Sequence, residues 1–343
     1  MKRECKGTTN FSYMQIFGAE KCRKRQIFAI IALFAYINAK NICKYQKLFV
    51  TLWSELKNTL CIMSKYDELQ VAEGVYVPNV GIKYPEDNPY EQLVQPKFTS
   101  HFVADENYPF IDDSFKSRLN NIVLVTLIVR LLMRIMLRVK MGLRYKGREI
   151  LKKYKKELSG GAITIANHCF RLDCPCVLLT AKVPYNVKIP MFAPNFGTKD
   201  GFFMKTVGGI PIPEAEAGMV ALKKFNEAFD EFHRRGYWIH IFPEAKRWDF
   251  YKPLRPFQKG AFTMAYKYDM PLLPCVITFR ERTGIYKLFG PKELPLLQVE
   301  IGEPIFPDKT QPRAQEVTRL LETAHKQMEQ MAGITHNPWP DTL

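Results

Sequence analysis

The chain contains no CxxC pair, although it holds eight cysteines. That absence removes the common zinc frameworks and gives no disulfide pattern. Cys169, Cys174 and Cys176 cluster beside His168. Zinc sites ordinarily use better-spaced ligand pairs, so the expectation is no bound metal and reduced, mostly buried thiols. No apolar run is long enough to span a bilayer unaided. The stretch "IFAIIALFAYI" (Ile27–Ile37) follows basic residues at 21–25 and has the length of a signal core. It is followed by "NAKNICKYQ", which offers no small-residue cleavage site. Internal repeats and low-complexity tracts are lacking too. Acidic residues are scarce: 34 Asp and Glu face 50 Lys and Arg, a formal net charge of +16. This balance favours anionic partners, whether nucleic acid, a membrane surface or a phosphorylated substrate. Zinc-finger and RNA-binding aromatic signatures are absent, which argues against nucleic acid.

What is present divides the 343 residues into four stretches. Residues 1–62 are rich in Lys, Cys and Asn, with apolar runs of no clear period; Met63 then opens "MSKYDELQ" like an ordinary protein start. Residues 1–62 are therefore expected to be an extension, or to reflect a mis-assigned start. Residues 63–117 read as an irregular arm, dense in Pro, Asn, Asp and aromatics. Residues 118–158 hold a helical stretch, "NNIVLVTLIVRLLMRIMLRVKMGLRY", and the basic segment "KGREILKKYKKE". Arg130, Arg134 and Arg138 recur every four residues along one side, with Arg144 close to that face. Val125, Ile128, Leu132, Ile135 and Val139 fall opposite. An arginine stripe against an aliphatic face suits a helix lying in the membrane interface, on anionic lipid. The other reading of the pattern is an amphipathic helix packed on the protein's own core.

Residues 159–335 follow an α/β pattern. "GGAITIANH", "YWIHIFPEAKR", "MPLLPCVITF" and "LPLLQVEIGEPI" read as strands. "CPCVLLTAK" reads as a helix. "EAGMVALKKFNEAFDEFHRRG" reads as another, capped by Gly236, and "RAQEVTRLLETAHKQMEQMAG" closes the chain at helical spacing.

His168 and Asp173 stand five residues apart in "ANHCFRLDCP". A neutral imidazole is suited to take a proton near neutral pH, and a carboxylate on its other nitrogen fixes the tautomer. Residues five apart on a continuous helix sit about 140° apart. The pair works best if His168 sits at a strand end and the chain turns before Asp173, at a helix start.

The segments "NHCFRLD", "VGGIPIP", "FPEAKR", "FQKGAFTMAYKYDMPLLPCVI" and "VEIGEPI" occur in this order. Over roughly residues 120–335 they resemble the glycerolipid acyltransferases, the family of lysophosphatidate and glycerol-3-phosphate acyltransferases. The resemblance implies an α/β fold, a mixed sheet flanked by helices, here preceded by the amphipathic helix. It implies transfer of a fatty acyl group from acyl-CoA or acyl carrier protein to a lysolipid hydroxyl. The first acceptor it suggests is 1-acylglycerol-3-phosphate, giving phosphatidic acid. His168 would be the general base and Asp173 its orienter. The thioester co-substrate is already activated, so no cofactor is expected. The implied location is the cytoplasmic face of a membrane.

Substrate-binding roles fall, by the same resemblance, on Asn167, Glu244, Lys246 and Arg247, with Arg171 as a compensating charge, while Gly208 and Gly209 would let backbone approach a ligand or only make a turn. "FPEAKR" is similar to the family's FPEGTR, matching at Pro243, Glu244 and Arg247 and departing at Ala245 and Lys246. Arg247 offers paired donors to a phosphate and Lys246 a second charge. "VGGIPIP" is followed by Glu214 where the family usually carries arginine. That departure leaves open a different lysolipid or a non-phosphorylated alcohol as acceptor. Cys169 adjoins the base and is expected to be a bystander to direct attack. A nonenzymatic basic protein that binds nucleic acid would account for the charge but not for the ordered segments.

Overall fold

The computed structural model describes residues 65–340, apart from 94–97, 99, 185 and 289–293. The extension expected over 1–62 lies outside the described residues. The arm begins with the short helix α1 (Lys65–Glu68) and strand β1 (Gln70–Val71), which pairs antiparallel with β9 (Ile334–His336). The described residues between 72 and 114 form no helix or named strand.

Among the described residues the core is a seven-stranded sheet in the order β2-β8-β7-β3-β6-β4-β5. The strands are β2 (Arg144–Lys146), β3 (Ile163–Ala166), β4 (Val187–Phe192), β5 (Gly209–Ile212), β6 (Trp238–Ile241), β7 (Leu272–Arg280) and β8 (Leu296–Ile301). Strands β7, β3, β6, β4 and β5 run parallel to one another. Strand β8 runs antiparallel to β7, and β2 is parallel to β8. The fold is thus a mixed α/β sheet flanked by helices.

Both sheet faces are covered, so central strands read as continuous apolar runs instead of alternating ones. Strand β3 is buried at every position. Its side chains still alternate between two cores. Ile163 and Ile165 join a core with helices α7 (Gly218–Arg234), α8 (Gly260–Tyr268) and α9 (Arg313–Ala332). Ala162 and Ala166 join the other, with Cys176 and Val177 of α5 (Asp173–Thr180) and Leu137 and Met141 of α3 (Arg134–Met141).

Helix α3 ends a longer helical run. It starts as α2 (Phe115–Leu124), with Ser114 accepting from the Ser117 N–H, and passes through a π-helical segment, Val125–Met133. Hydrogen bonds there run i→i+5, so the side-chain pattern changes face midway. This revises the two stripes expected at uniform spacing. Val125 is buried, whereas Leu132, Ile135 and Val139 are 59, 53 and 50% exposed. Arg130 turns inward and donates to the Val183 carbonyl at 2.9 Å. Arg134 and Arg138 remain exposed, and Arg144 belongs to β2. The side chain of Ile128 lies outside the described residues.

A buried histidine sits within the sheet. His240, on β6, has Nδ1 2.9 Å from Thr164 Oγ1 on β3 and is fully buried. Burial pushes its pKa down from 6.5 to about 4, so the neutral ring is favoured. The unfolded chain therefore binds this proton more readily than the folded one. The contribution to stability is whole above about pH 6.5 and is lost as pH falls towards about 4. His240→Gln should flatten the pH dependence of unfolding free energy in that window, measured by urea titration. Identical slopes for the two proteins would exclude His240 as its source.

Candidate active site

Strand β3 ends at Ala166, and Asn167 closes it. Its side chain accepts from the Ile277 N–H at 2.8 Å and donates to the Ile277 carbonyl at 3.0 Å, like one more rung of the β3–β7 ladder. Asn167 is buried, and its amide is spent on β7. It braces the strand end.

The chain then turns through 168–172 before α5 begins at Asp173. The turn does what a continuous helix could not. His168 Nδ1 lies 2.5 Å from Asp173 Oδ2. Asp173 Oδ1 accepts from the Cys174 N–H at 2.7 Å, so the carboxylate is held at the positive end of a helix. Asp173 is buried, while the His168 side chain keeps 22% of its surface exposed. Phe242 stacks flat on the imidazole, centroids 4.2 Å apart and planes 13° off parallel. Two contacts thus fix this ring, and Nε2 is the nitrogen they leave open.

The "FPEAKR" loop leaves the same end of the sheet from β6. Glu244 is 2% exposed. Its Oε2 accepts from the His168 backbone N–H at 2.9 Å and from Arg255 Nη2 at 2.8 Å, and its Oε1 from the Arg255 N–H at 3.0 Å. Arg255 is itself fully buried. It also donates to the carbonyls of Pro89 and Lys246, and its guanidinium lies over the Trp248 ring. Glu244 therefore ties the His168 loop to the Arg255 segment. Further ties join the same loops: the N–H groups of Trp248 and Phe250 donate to the carbonyls of His168 and Cys169.

Lys246 and Arg247 are partly exposed on this loop. The Lys246 ammonium lies 4.8 Å from the Phe192 ring centroid. Arg247 Nε is 2.9 Å from Asp249 Oδ1, a close ion pair without hydrogen-bond alignment. Arg171 extends from the turn between His168 and Asp173, three-quarters exposed and 4.0 Å from Asp200. Gly208 and Gly209 are elsewhere. They precede and begin β5, at the opposite end of the sheet from His168. A Cβ on Gly208, at φ +100°, would meet the Val187 carbonyl oxygen at 2.2 Å. Their absent side chains admit neighbouring backbone.

Cys169 is buried beside the dyad. Burial, then the Asp173 charge, pushes its thiol well above the usual range. A thiol held protonated and covered is a poor nucleophile, as the bystander reading requires. Phe242, Asp249 and Arg255 were not foreseen as parts of the site. Arg255 follows "FPEAKR" by only a few residues, yet no motif marks it.

Residues 142–278, which contain the dyad and both loops, match the family model described as Acyltransferase. Over that stretch the chain is similar to the Acyltransferase family. The matched stretch begins where α3 ends and stops in β7, so the long helix and α9 lie outside it. A search of curated proteins found no match. Among solved structures, the crystal structure of the 1-acyl-sn-glycerophosphate (LPA) acyltransferase PlsC from Thermotoga maritima is similar. The two are 18% identical, the similarity covers 65% of this chain and 84% of that one, and the TM-score is 0.44.

The arrangement holds an imidazole with one nitrogen fixed by a carboxylate, and places two cationic side chains on the loop tied to it. Removing one member of a buried ion pair leaves a charge unmatched and costs about 3–5 kcal/mol. Glu244→Ala should lower the unfolding free energy by about that amount, read by denaturant titration. A loss below about 1 kcal/mol would contradict the tie between the loops.

Proposed function

We propose that the protein moves a fatty acyl group from acyl-CoA or acyl carrier protein to the free hydroxyl of 1-acylglycerol-3-phosphate, giving phosphatidic acid. The observation that carries this reading is the part-exposed His168–Asp173 pair, standing on the same sheet edge as the loop of Lys246 and Arg247.

An alcohol is a weak nucleophile until a base takes its proton. His168 Nε2 accepts that proton as the alcohol oxygen bonds to the thioester carbonyl carbon. Asp173 stabilises the imidazolium that forms. The tetrahedral intermediate collapses by breaking the C–S bond, and the imidazolium returns its proton to the thiolate. Acyl ester and thiol leave, and the histidine ends neutral. The base contributes about 10²- to 10⁴-fold, and holding the two substrates in register supplies much of the rest.

Arg247 and Lys246 supply positive charge for an acceptor phosphate, with Arg171 in reach of the same edge. A second reading, a non-phosphorylated acceptor, is favoured by Asp249, which already pairs with Arg247, and by Glu214. The exposed row Leu132, Ile135 and Val139, with Arg134 and Arg138 beside it, supports attachment to an anionic membrane surface. No helix among the described residues is long and apolar enough to cross a membrane.

His168→Ala should lower kcat about 10²- to 10⁴-fold with an unchanged thermal midpoint, assayed with labelled acyl thioester and a panel of lysophosphatidate, glycerol-3-phosphate, other lysophospholipids and simple alcohols. Wild-type turnover in that variant would reject the base. Arg247→Ala should raise KM for lysophosphatidate and leave it unchanged for simple alcohols. In liposome flotation the protein should rise with anionic vesicles, and the triple variant L132N, I135N, V139N should stay at the bottom. Flotation of both to the same extent would remove this face as the contact.

A further inference from the structure

A cavity of about 410 Å³ opens at the other edge of the sheet. His168 and the "FPEAKR" loop follow the carboxyl ends of β3 and β6. The cavity instead takes Asn186 and Lys188 from the start of β4, Tyr237 just before β6, and Phe232 and Arg235 from the end of α7. Ligands of open parallel sheets gather at the carboxyl ends of the strands, so this cavity is separate from the acyl-transfer site.

Its charges are unequally matched. Lys205 is 3.8 Å from Asp112, and Arg235 is 2.7 Å from Asp113. Both acids thus have cationic partners. Lys188 has no carboxylate within ion-pair distance among the described residues. Its ammonium lies 4.8 Å from the Phe232 ring centroid and 5.6 Å from that of Tyr237. Burial lowers its pKa, a cost that an arriving anion would offset. The rim is of a different kind. Ile122 and Phe202 line the cavity and are 51 and 69% exposed. Large apolar side chains held in water beside a recessed, unpaired ammonium make a surface for a molecule with an anionic end and an apolar end.

We propose that this cavity is a second binding site, which takes the phosphate of an anionic phospholipid against Lys188 with its acyl chain across Ile122 and Phe202. The occupant is a lipid other than the acceptor, bound at the opposite edge of the sheet from the dyad. Phe202 and Ile122 are the residues that distinguish it from a free phosphate ion, which would use Lys188 alone. The site does not depend on the acceptor proposed above.

The test is titration calorimetry of the full chain with dihexanoyl phosphatidylglycerol below its micelle concentration, and separately with inorganic phosphate. Lys188→Gln should weaken lipid binding at least tenfold, and Lys188→Arg should restore it to within about threefold. Phe202→Gln, a change at an exposed position, should weaken lipid binding while leaving any phosphate binding alone. Arg247→Ala, at the other edge, should leave lipid binding unchanged. Lipid binding within twofold of wild type in Lys188→Gln would overturn the site, as would its loss in Arg247→Ala. Inorganic phosphate binding as tightly as the lipid, with Phe202→Gln silent, would overturn the lipid assignment.

Discussion

Glu244 carries a full charge into a place that water barely reaches, and the active-site edge is organised around that cost. Removing a carboxylate from water costs several kcal/mol even after the protein relaxes, unless donors surround it. Here the donors come from two other segments: the backbone of His168 after β3, and the backbone and guanidinium of Arg255. The charge is tolerable only while the segments stay together. The loop that bears Lys246 and Arg247 and the turn that bears His168 are therefore one mechanical unit. Arg255 extends that unit to the arm through the Pro89 carbonyl and the Trp248 ring. The irregular arm thus has a part in holding the site.

With the His168 backbone anchored, its ring has little freedom left. Asp173 holds Nδ1, Phe242 covers a face, and the backbone N–H is taken by Glu244. These constraints come from α5, from the end of β6 and from the loop beyond it. Preorganisation of this kind lowers the entropy lost when the substrates align. It also leaves a mark of strain. Ala245 has φ +62°, a left-handed conformation that costs an L-residue about 1–2 kcal/mol and that glycine adopts freely. The glycine of FPEGTR stands at this position in the family that the chain resembles. Ala245 keeps the glycine's conformation without its freedom, held by the Glu244 carboxylate on one side and the Lys246 carbonyl bonded to Arg255 on the other.

The pair His168 and Asp173 was legible from the ordered segments around it and their resemblance to a family, since a histidine and an aspartate five apart are a weak signal alone. The strands at β3, β6, β7 and β8 were legible from apolar runs, and α7 and α9 from their helical period. Strands β4 and β5 were not. "VKIPMF" and "GIPI" are short, carry proline and show no alternation. The change of face within the long helix was invisible too, since a period of 3.6 assumes uniform hydrogen bonding. Glu244, Asn167, Gly208 and Gly209 sit in motif segments, and the structure uses each for a tie or close approach within the protein. A polar residue or a glycine in a motif reads the same whether it meets a ligand or a neighbouring strand. Only burial and partners separate the two.

The pairing of Arg247 with Asp249 bears on acceptor choice in a way a lone arginine would not. An incoming anion must compete with a carboxylate 2.9 Å from the guanidinium Nε. A phosphodiester brings a single negative charge, so exchanging it for Asp249 gains little Coulomb energy at comparable distance. A phosphate monoester brings about 1.5 to 2 negative charges near neutral pH, with three acceptor oxygens. It can hold Arg247 more strongly than the aspartate does, or share it while engaging Lys246. An uncharged alcohol leaves the ion pair as it stands. On the acceptor reading proposed here, Asp249 thus works as a threshold: it weakens the response of the loop to singly charged headgroups and keeps it for the doubly charged one.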